Sequence, residues 1–486
     1  MDDKKRRHKA CSACSQRKVR CNGQQRCQQC EHLNLRCEYS EPAPRQIQRS
    51  RTPKKIQKHK QEHPVLAAAP HGREDWSGYI DQEENCHHEN DFFLALLPDF
   101  EYFVLPFHPV ITIAEAQYAI ETMDTDSEAK AFVFGLAAVT LNLTHSLRSQ
   151  TSSPNSDIET WVSRSLSTLQ PVLSQEDISV RRVATLQFIH VCLMGLGRHD
   201  LAFCYLRQST TMVEILRIGD AEVMAQFPLA EQARRQRLYW TVFVRYPMHF
   251  RDKACTNHVQ VHERFYAITC QRPIVLPPLK TIFETDDSIP DPVTDGFLQI
   301  VRLFMHIDED MVAKWLATFD SQQIIEPAWI IDKHRQLDAE TAATGDNIAG
   351  LSSMQQADLV ITRHWLRMLV WQMAMSKCLL SSGSTEQSMS LLFPVGVSAQ
   401  LRSLIGNMTK DAIEVHGSGI QQKLFELTDT IASVVLTVPA TSIEEKRQRS
   451  DDFRFLFEFW KSLPRPNQVQ GELLEDKYRR LAEMGL

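Results

Sequence analysis

The chain has 486 residues, 43% of them hydrophobic, twelve cysteines and a formal net charge of −6 at neutral pH. That charge is unevenly placed: residues 1–60 hold seventeen Lys and Arg against five acids, or +12, which leaves −18 on residues 61–486. A basic head on an acidic body is the footprint of a nucleic-acid binder whose contacts are confined to one module. No apolar run reaches the roughly 18 residues of a membrane span, so no membrane association is expected.

The first predicted element is an array of six cysteines, Cys11, Cys14, Cys21, Cys27, Cys30 and Cys37, spaced C-x2-C-x6-C-x5-C-x2-C-x6-C. A disulfide framework would need an oxidising compartment, and the residues before Cys11 are polar and basic rather than an apolar signal segment. Cysteines packed this densely without secretion point to metal. Two separate four-cysteine sites would need eight thiolates, whereas two tetrahedral zincs sharing two bridging sulfurs need six. The spacing therefore predicts a binuclear cluster, with one sulfur of each half as bridge.

Between the second and third cysteines, Arg17, Lys18 and Arg20 sit on a short stretch fixed at both ends by ligands. Cations held rigidly in this way suit the acceptor edge of guanine and the phosphates. This segment resembles the fungal zinc binuclear cluster (Zn2Cys6) family, whose small module of two short helices and loops places one helix in the major groove. Lys18 occupies the family's lysine position three residues before the third cysteine. The resemblance implies that Lys18 reads a CGG-type triplet, with Arg17 and Arg20 in support. Ser15 stands where an arginine is common, and Arg26 where the loop between the halves usually has a proline. Lys4-Lys5-Arg6-Arg7 and the stretch from Arg49 to Lys60, Arg51 included, read as nuclear-import and phosphate-binding segments.

The cluster domain is assigned to residues 1–40 and a basic disordered linker to residues 41–78, with Pro42, Pro44, Pro53, Pro64 and Pro70 and no apolar periodicity. No heptad run follows the cluster, so dimerisation, where it occurs, falls to the large domain beyond. From residue 79 helical periodicity dominates. It covers Asp126–Leu147, Ile158–Leu173, Val180–Leu196, Leu201–Ile218, Leu229–Phe243, Phe297–Phe319, Gln356–Leu380, Ala399–Ile413 and Gln421–Val438. An all-α body is predicted, with a regulatory domain over 79–440 and a C-terminal helical segment over 441–486 as a candidate activation region.

Several stretches of this body resemble the fungal-specific transcription factor domain that accompanies such clusters. They are Tyr102–Ile111 with its His108-Pro109 pair, Gly197–Gly219, Arg234–Trp240, and Gln271–Leu276 with its Arg272-Pro273 turn. The resemblance implies a helical regulatory domain without catalytic residues. In the family the arginine-tryptophan helix runs on into a short aromatic stretch. Here Phe243-Val244 and His262–Tyr266 look like its two halves, parted by a segment with Pro247 and no periodicity. Removing residues 244–260 restores one helix. A valine codon begins with GT and Gln260 permits a terminal CAG, so these 17 codons are read as an in-frame intron carried into the translation.

Enzymatic motifs are absent: there is no GxxxxGK[ST], HExxH or GxSxG. Cys86-His87-His88 lies in a polar acidic run. Cys192, Cys204, Cys255, Cys270 and Cys378 lack ligand spacing, and most are expected in the core. Two acidic-aromatic segments, Asp81–Phe103 and Asp451–Trp460, are candidates for docking transcription machinery, with core packing favoured for the second. The resulting expectation is a nuclear regulator of RNA polymerase II transcription, not an enzyme. It would hold two zinc ions, bind double-stranded DNA, and activate a metabolic or secondary-metabolite gene set. Metabolite gating or repression is the alternative, with homodimerisation and a small-molecule effector as candidate properties of the helical body.

Overall fold

The computed structural model describes Cys11, Cys14, Cys21, Gln24, Arg26, Cys27, Cys30 and Cys37 of the N-terminal stretch. Beyond it, residues 82–144, 154–174, 178–244, 276–280, 282, 287–318, 324–344, 348–381, 383–464 and 468–483 are described. The chain separates into two units, Met1–Gly78 and Tyr79–Leu486.

The second unit is helical, and no β-strand occurs among its described residues. Its first group of helices is α1 (Gln82–Asp99), α2 (Ile113–Thr122), α3 (Ser127–Thr144), α4 (Pro154–Thr168), α5 (Val180–Gly195), α6 (His199–Ile215), α7 (Ala221–Met224) and α8 (Leu229–Val244). A π-helical turn, Phe100–Val104, extends α1. The second group is α9 (Asp291–Met305), α10 (Glu309–Ala317), α11 (Pro327–Thr344), α12 (Ser353–Ser376), α13 (Phe393–Gly406), α14 (Lys410–Glu414), α15 (Gly417–Thr437), α16 (Ile443–Ser462) and α17 (Gln468–Glu483).

Local chemistry sets where these helices begin and stop. At α2, Thr112 Oγ1 accepts from the Glu115 N–H at 3.1 Å, while Glu115 Oε2 accepts from the Thr112 N–H at 2.8 Å. Ser352 and Gln355 repeat this reciprocal cap at α12, each such cap contributing about 1 kcal/mol. At the end of α5, Gly197 adopts φ +72°, and the Arg198 N–H reaches the Leu193 carbonyl at 2.8 Å. That is a Schellman stop, and glycine takes the left-handed turn without Cβ strain.

Two predicted helices prove to be broken. The stretch Phe297–Phe319 divides into α9 and α10 because the Asp308 carboxylate accepts from the Met311 N–H at 2.7 Å and starts a new helix. Ala399–Ile413 likewise divides at Asn407–Thr409. Helices α3 and α12 are buried nearly all round, with Ala131 to Thr140 enclosed without interruption in α3. That makes them the central elements about which the others pack.

Trp240, Trp365, Trp371 and Trp460 are fully enclosed. Three of their indoles find acceptors: Trp365 donates to Glu426 Oε2 at 2.6 Å, Trp371 to the Ser390 carbonyl at 2.8 Å and Trp460 to the Gln421 carbonyl at 3.1 Å. Phe453, Leu456, Phe457 and Trp460 all point inward, so α16 contributes its aromatic face to the core. In the earlier acidic-aromatic segment, Phe93 and Phe100 are fully buried too, and Phe92 stacks on Trp161 at 5.6 Å.

The stretches that resemble the regulatory family come together in space. Arg237, 1% exposed, donates from Nε to the Pro109 carbonyl at 2.6 Å, and Arg234 pairs with Glu115 at 3.1 Å. The helix of Arg234–Trp240 is thereby tied to the segment that carries His108-Pro109. Of the Gln271–Leu276 turn, only Leu276 is described, and it is buried. Helix α8 ends at Val244 with every residue from Arg237 onward buried; the rest of 244–260 lies outside the described residues. On α12, Asp358 is 3.3 Å from the Nζ of Lys423 on α15, and Lys423 Nζ also lies 2.5 Å from Thr362 Oγ1.

Cysteines outside the array differ in burial. Cys192 is buried as expected, but Cys204 and Cys378 are exposed, which corrects the core reading for those two. Cys255 and Cys270 lie outside the described residues, as do the side chains of Cys86, His87 and His88 on α1.

Candidate metal centre and nucleic-acid interface

Cys14 and Cys30 occupy equivalent places in the two halves of the array, and both lie on helical backbone. Each ends a C-x2-C pair, the span at which one helical turn brings two thiols to the same side. The Cys14 N–H donates to Cys11 Sγ at 3.4 Å, and the Cys27 N–H to Cys37 Sγ at 3.3 Å. Backbone dipoles are thus aimed at sulfur, which favours the thiolate form and fixes its direction.

The ligand atoms of Cys11, Cys14, Cys27 and Cys30 all lie within 4.8 Å of one another, and all four residues are fully buried. Cys11 Sγ is 3.7 Å from Cys27 Sγ and 3.6 Å from Cys30 Sγ; Cys14 Sγ is 3.4 Å from Cys27 Sγ. A tetrahedral zinc with bonds of about 2.3 Å sets its sulfurs about 3.8 Å apart, so these separations fit a zinc thiolate centre. Cys21 and Cys37 are half-buried and pack against the same cluster.

Electrostatics lead to the same conclusion. Burial, with Cys27 and Cys11 adding to it, pushes the Cys14 thiol up to about 12. Burial likewise drives Cys30 upward. Four crowded sulfurs in a site closed to water become thiolates together only where a cation neutralises them. The donor set consists of soft thiolates, which suit zinc rather than calcium or magnesium.

Arg26 is solvent-exposed on a bend just before Cys27. The residues expected at the DNA interface, Arg17, Lys18, Arg20 and Arg51, and those expected to direct import, Lys4, Lys5, Arg6 and Arg7, lie outside the described residues. What the sequence reading missed is in the helical unit, where the buried Asp358–Lys423 pair and its surroundings were not anticipated. The available signal was the single carboxylate of the run Gln356–Leu380, flanked on both sides by apolar residues.

Residues 9–46 match the fungal Zn(2)-Cys(6) binuclear cluster domain. The chain thus carries a domain that binds two zinc ions and DNA, joined to a large helical body that fits a regulatory region. It is 23% identical over 275 residues to the probable sucrose utilization protein of Candida albicans, a stretch making up 56% of this chain and 50% of that one. It is 22% identical over 450 residues to a maltose fermentation regulatory protein of Saccharomyces cerevisiae, covering 88% of this chain and 85% of the relative. A second maltose fermentation regulatory protein of that yeast is 20% identical over 445 residues, covering 88% and 84%. The alignment thus spans half the length of the first relative and most of the other two. No solved structure matches the chain. None of the described helices is long and apolar enough to cross a membrane.

Proposed function

We propose that the chain is a nuclear activator of genes for sugar use, and that its zinc cluster reads CGG-type triplets. The observation that carries this reading is the cysteine array joined to a helical body whose relatives, aligned along 88% of the chain, are named for maltose fermentation. In this reading Cys11 and Cys27 are the bridging ligands, because each sulfur lies against sulfurs of the opposite half. Cys14 and Cys21 then complete one zinc and Cys30 and Cys37 the other. The ions cross-link the two halves and supply the folding energy of the module. Lys18 contacts base edges, Arg17 and Arg20 bases or phosphates, and Arg51 phosphates; Lys4, Lys5, Arg6 and Arg7 direct import. Dimerisation, where it occurs, uses the helical unit.

Genome-wide occupancy mapping of the tagged protein, combined with transcript profiling of a deletion strain on sucrose, maltose and glucose, tests the reading. Bound CGG-type sites upstream of genes for disaccharide transport and hydrolysis, with those transcripts falling in the deletion, are expected. Transcripts that rise instead would make the protein a repressor. Occupancy without CGG enrichment would overturn the specificity.

A further inference from the structure

Within the helical unit a cavity of about 160 Å³ lies between the two groups of helices. Helices α3, α5 and α8 supply one part of its wall; α9, α12 and the turn joining α14 to α15 supply the other. Its polar lining includes Asn142, Thr241, Gln355, Asp358, His416 and Gln421. Phe107, Leu143, Phe297, Ile300 and Leu359 make up much of the apolar lining. Gly195 and Gly296 also line the cavity, and a Cβ at either would overlap the amide of Asn142 or Gln355. Bare backbone there leaves those two amides room at the wall.

The charges in this wall are matched from within the protein. Asp358 is paired with the buried Lys423 at 3.3 Å, and Glu414 with Lys410 at 2.7 Å. Burial lowers the pKa of His416, although Asp358 works the other way, and its Nε2 lies 2.9 Å from the Met354 carbonyl. The ring of Phe107 meets the imidazole edge-on at 4.7 Å. The Asn142 amide has no hydrogen-bond partner among the described residues. A ligand thus meets amides, a hydroxyl and an imidazole beside a phenyl ring, with no uncompensated cation among the described lining residues for a phosphate or carboxylate. A hydrocarbon would leave the Asn142 amide unsatisfied, the other polar groups of the wall being bonded within the fold.

We propose that this cavity is an effector site for a neutral, polyhydroxylated ring compound of the sugar type. The gating role rests on the regulatory reading above: a sugar bound here touches both groups of helices at once and favours the arrangement that holds them together. An engineered cavity of about 150 Å³ admits benzene, so this one has room for a single six-membered ring. Hydroxyls would meet the amides, and the apolar face of the ring would lie against phenyl and aliphatic surface.

Isothermal titration calorimetry on the full chain, with glucose, maltose and sucrose as neutral probes and glucose 6-phosphate as the charged one, tests the site. Saturable heat from at least one neutral sugar is expected. Asn142→Leu, which removes a half-buried amide with no partner among the described residues, should weaken that binding at least tenfold. Leu359→Trp, which fills the cavity, should do the same. No heat from any neutral sugar at roughly 20 mM, well past a millimolar Kd, overturns the proposal, as does unchanged binding by Asn142→Leu. Equal binding of glucose 6-phosphate overturns the neutrality argument. DNA affinity and zinc content are read on the same samples. Failure of the regulatory reading therefore shows as absent DNA binding, and failure of the cavity as absent sugar heat.

Discussion

Replacing Lys423 by Met should destabilise the helical unit by about 3–5 kcal/mol, the usual result of leaving one buried charge without its partner. Lys423 is 0% exposed and Asp358 3% exposed, and they stand 3.3 Å apart. At an effective dielectric near 20, a pair at that distance attracts by about 5 kcal/mol. Against this stands the burial of the ammonium, which lowers its pKa from 10.5 to about 8 although Asp358 opposes the shift. That difference corresponds to about 3 kcal/mol of penalty, in full force below pH 8. Between pH 8 and 10.5 the unfolded chain holds a proton that the folded chain has released, so this group makes stability rise with pH across that window. Guanidinium titrations of wild type and Lys423→Met at pH 7, and at steps up to pH 10, measure both effects. The mutant should lose the stated stability at pH 7 and the Lys423 share of the alkaline rise. Asp358→Leu added to Lys423→Met should recover much of the loss, since a matched apolar pair removes both desolvation costs. A loss below about 1 kcal/mol, or an unaltered difference across the pH window, refutes the reasoning.

Elemental analysis should find two zinc ions per chain. Cys11→Ala or Cys27→Ala should lower occupancy of both, whereas Cys21→Ala should chiefly empty one; equal loss from all three removes the bridging assignment. Lys18→Ala should reduce discrimination for the triplet by about 1–3 kcal/mol, while Arg51→Ala weakens all DNA alike and lowers the salt slope. Equal weakening of cognate and random DNA by Lys18→Ala ends the base-reading role. Spliced transcripts should lack the 51 nucleotides that encode 244–260; reads retaining them in most messages make that stretch a genuine part of the protein.

The cluster was legible because its ligands lie close together in sequence. A C-x2-C pair brings its sulfurs together through one turn, so spacing alone carries geometry, and the buried Cys11, Cys14, Cys27 and Cys30 follow it. Strongly periodic helices were legible, Val180–Gly195 to within one residue and Gly417–Thr437 at its end though not at its start, which was placed at Gln421. Helix α11 was missed because it places Lys333 and His334 among its buried residues beside Ile330 and Leu337, which hides the periodicity. Helix α1 was missed because it opens on a polar run and contains Pro98. The break at Asp308 went unseen because an internal cap looks like any other polar residue until its hydrogen bonds are known, and the break before Lys410 because Thr409 carries no side-chain cap to mark it. The cavity lining was beyond reach, since Phe107, Asn142, Gln355 and Gln421 meet only after the whole unit has folded.

The closeness of Cys11 to Cys27 and Cys30, and of Cys14 to Cys27, has a bearing on how such a protein responds to scarcity. In the proposed bridged arrangement, the loss of one ion leaves the other its four thiolates but removes the cross-link that the lost ion made. A half-loaded molecule therefore keeps one zinc in place while the other pair of cysteines is left unconstrained. A cell running short of zinc would then weaken the grip of each copy on its sites before it empties the copies altogether. Target genes with strong sites would keep their regulator longest, and those with weak sites would fall silent first.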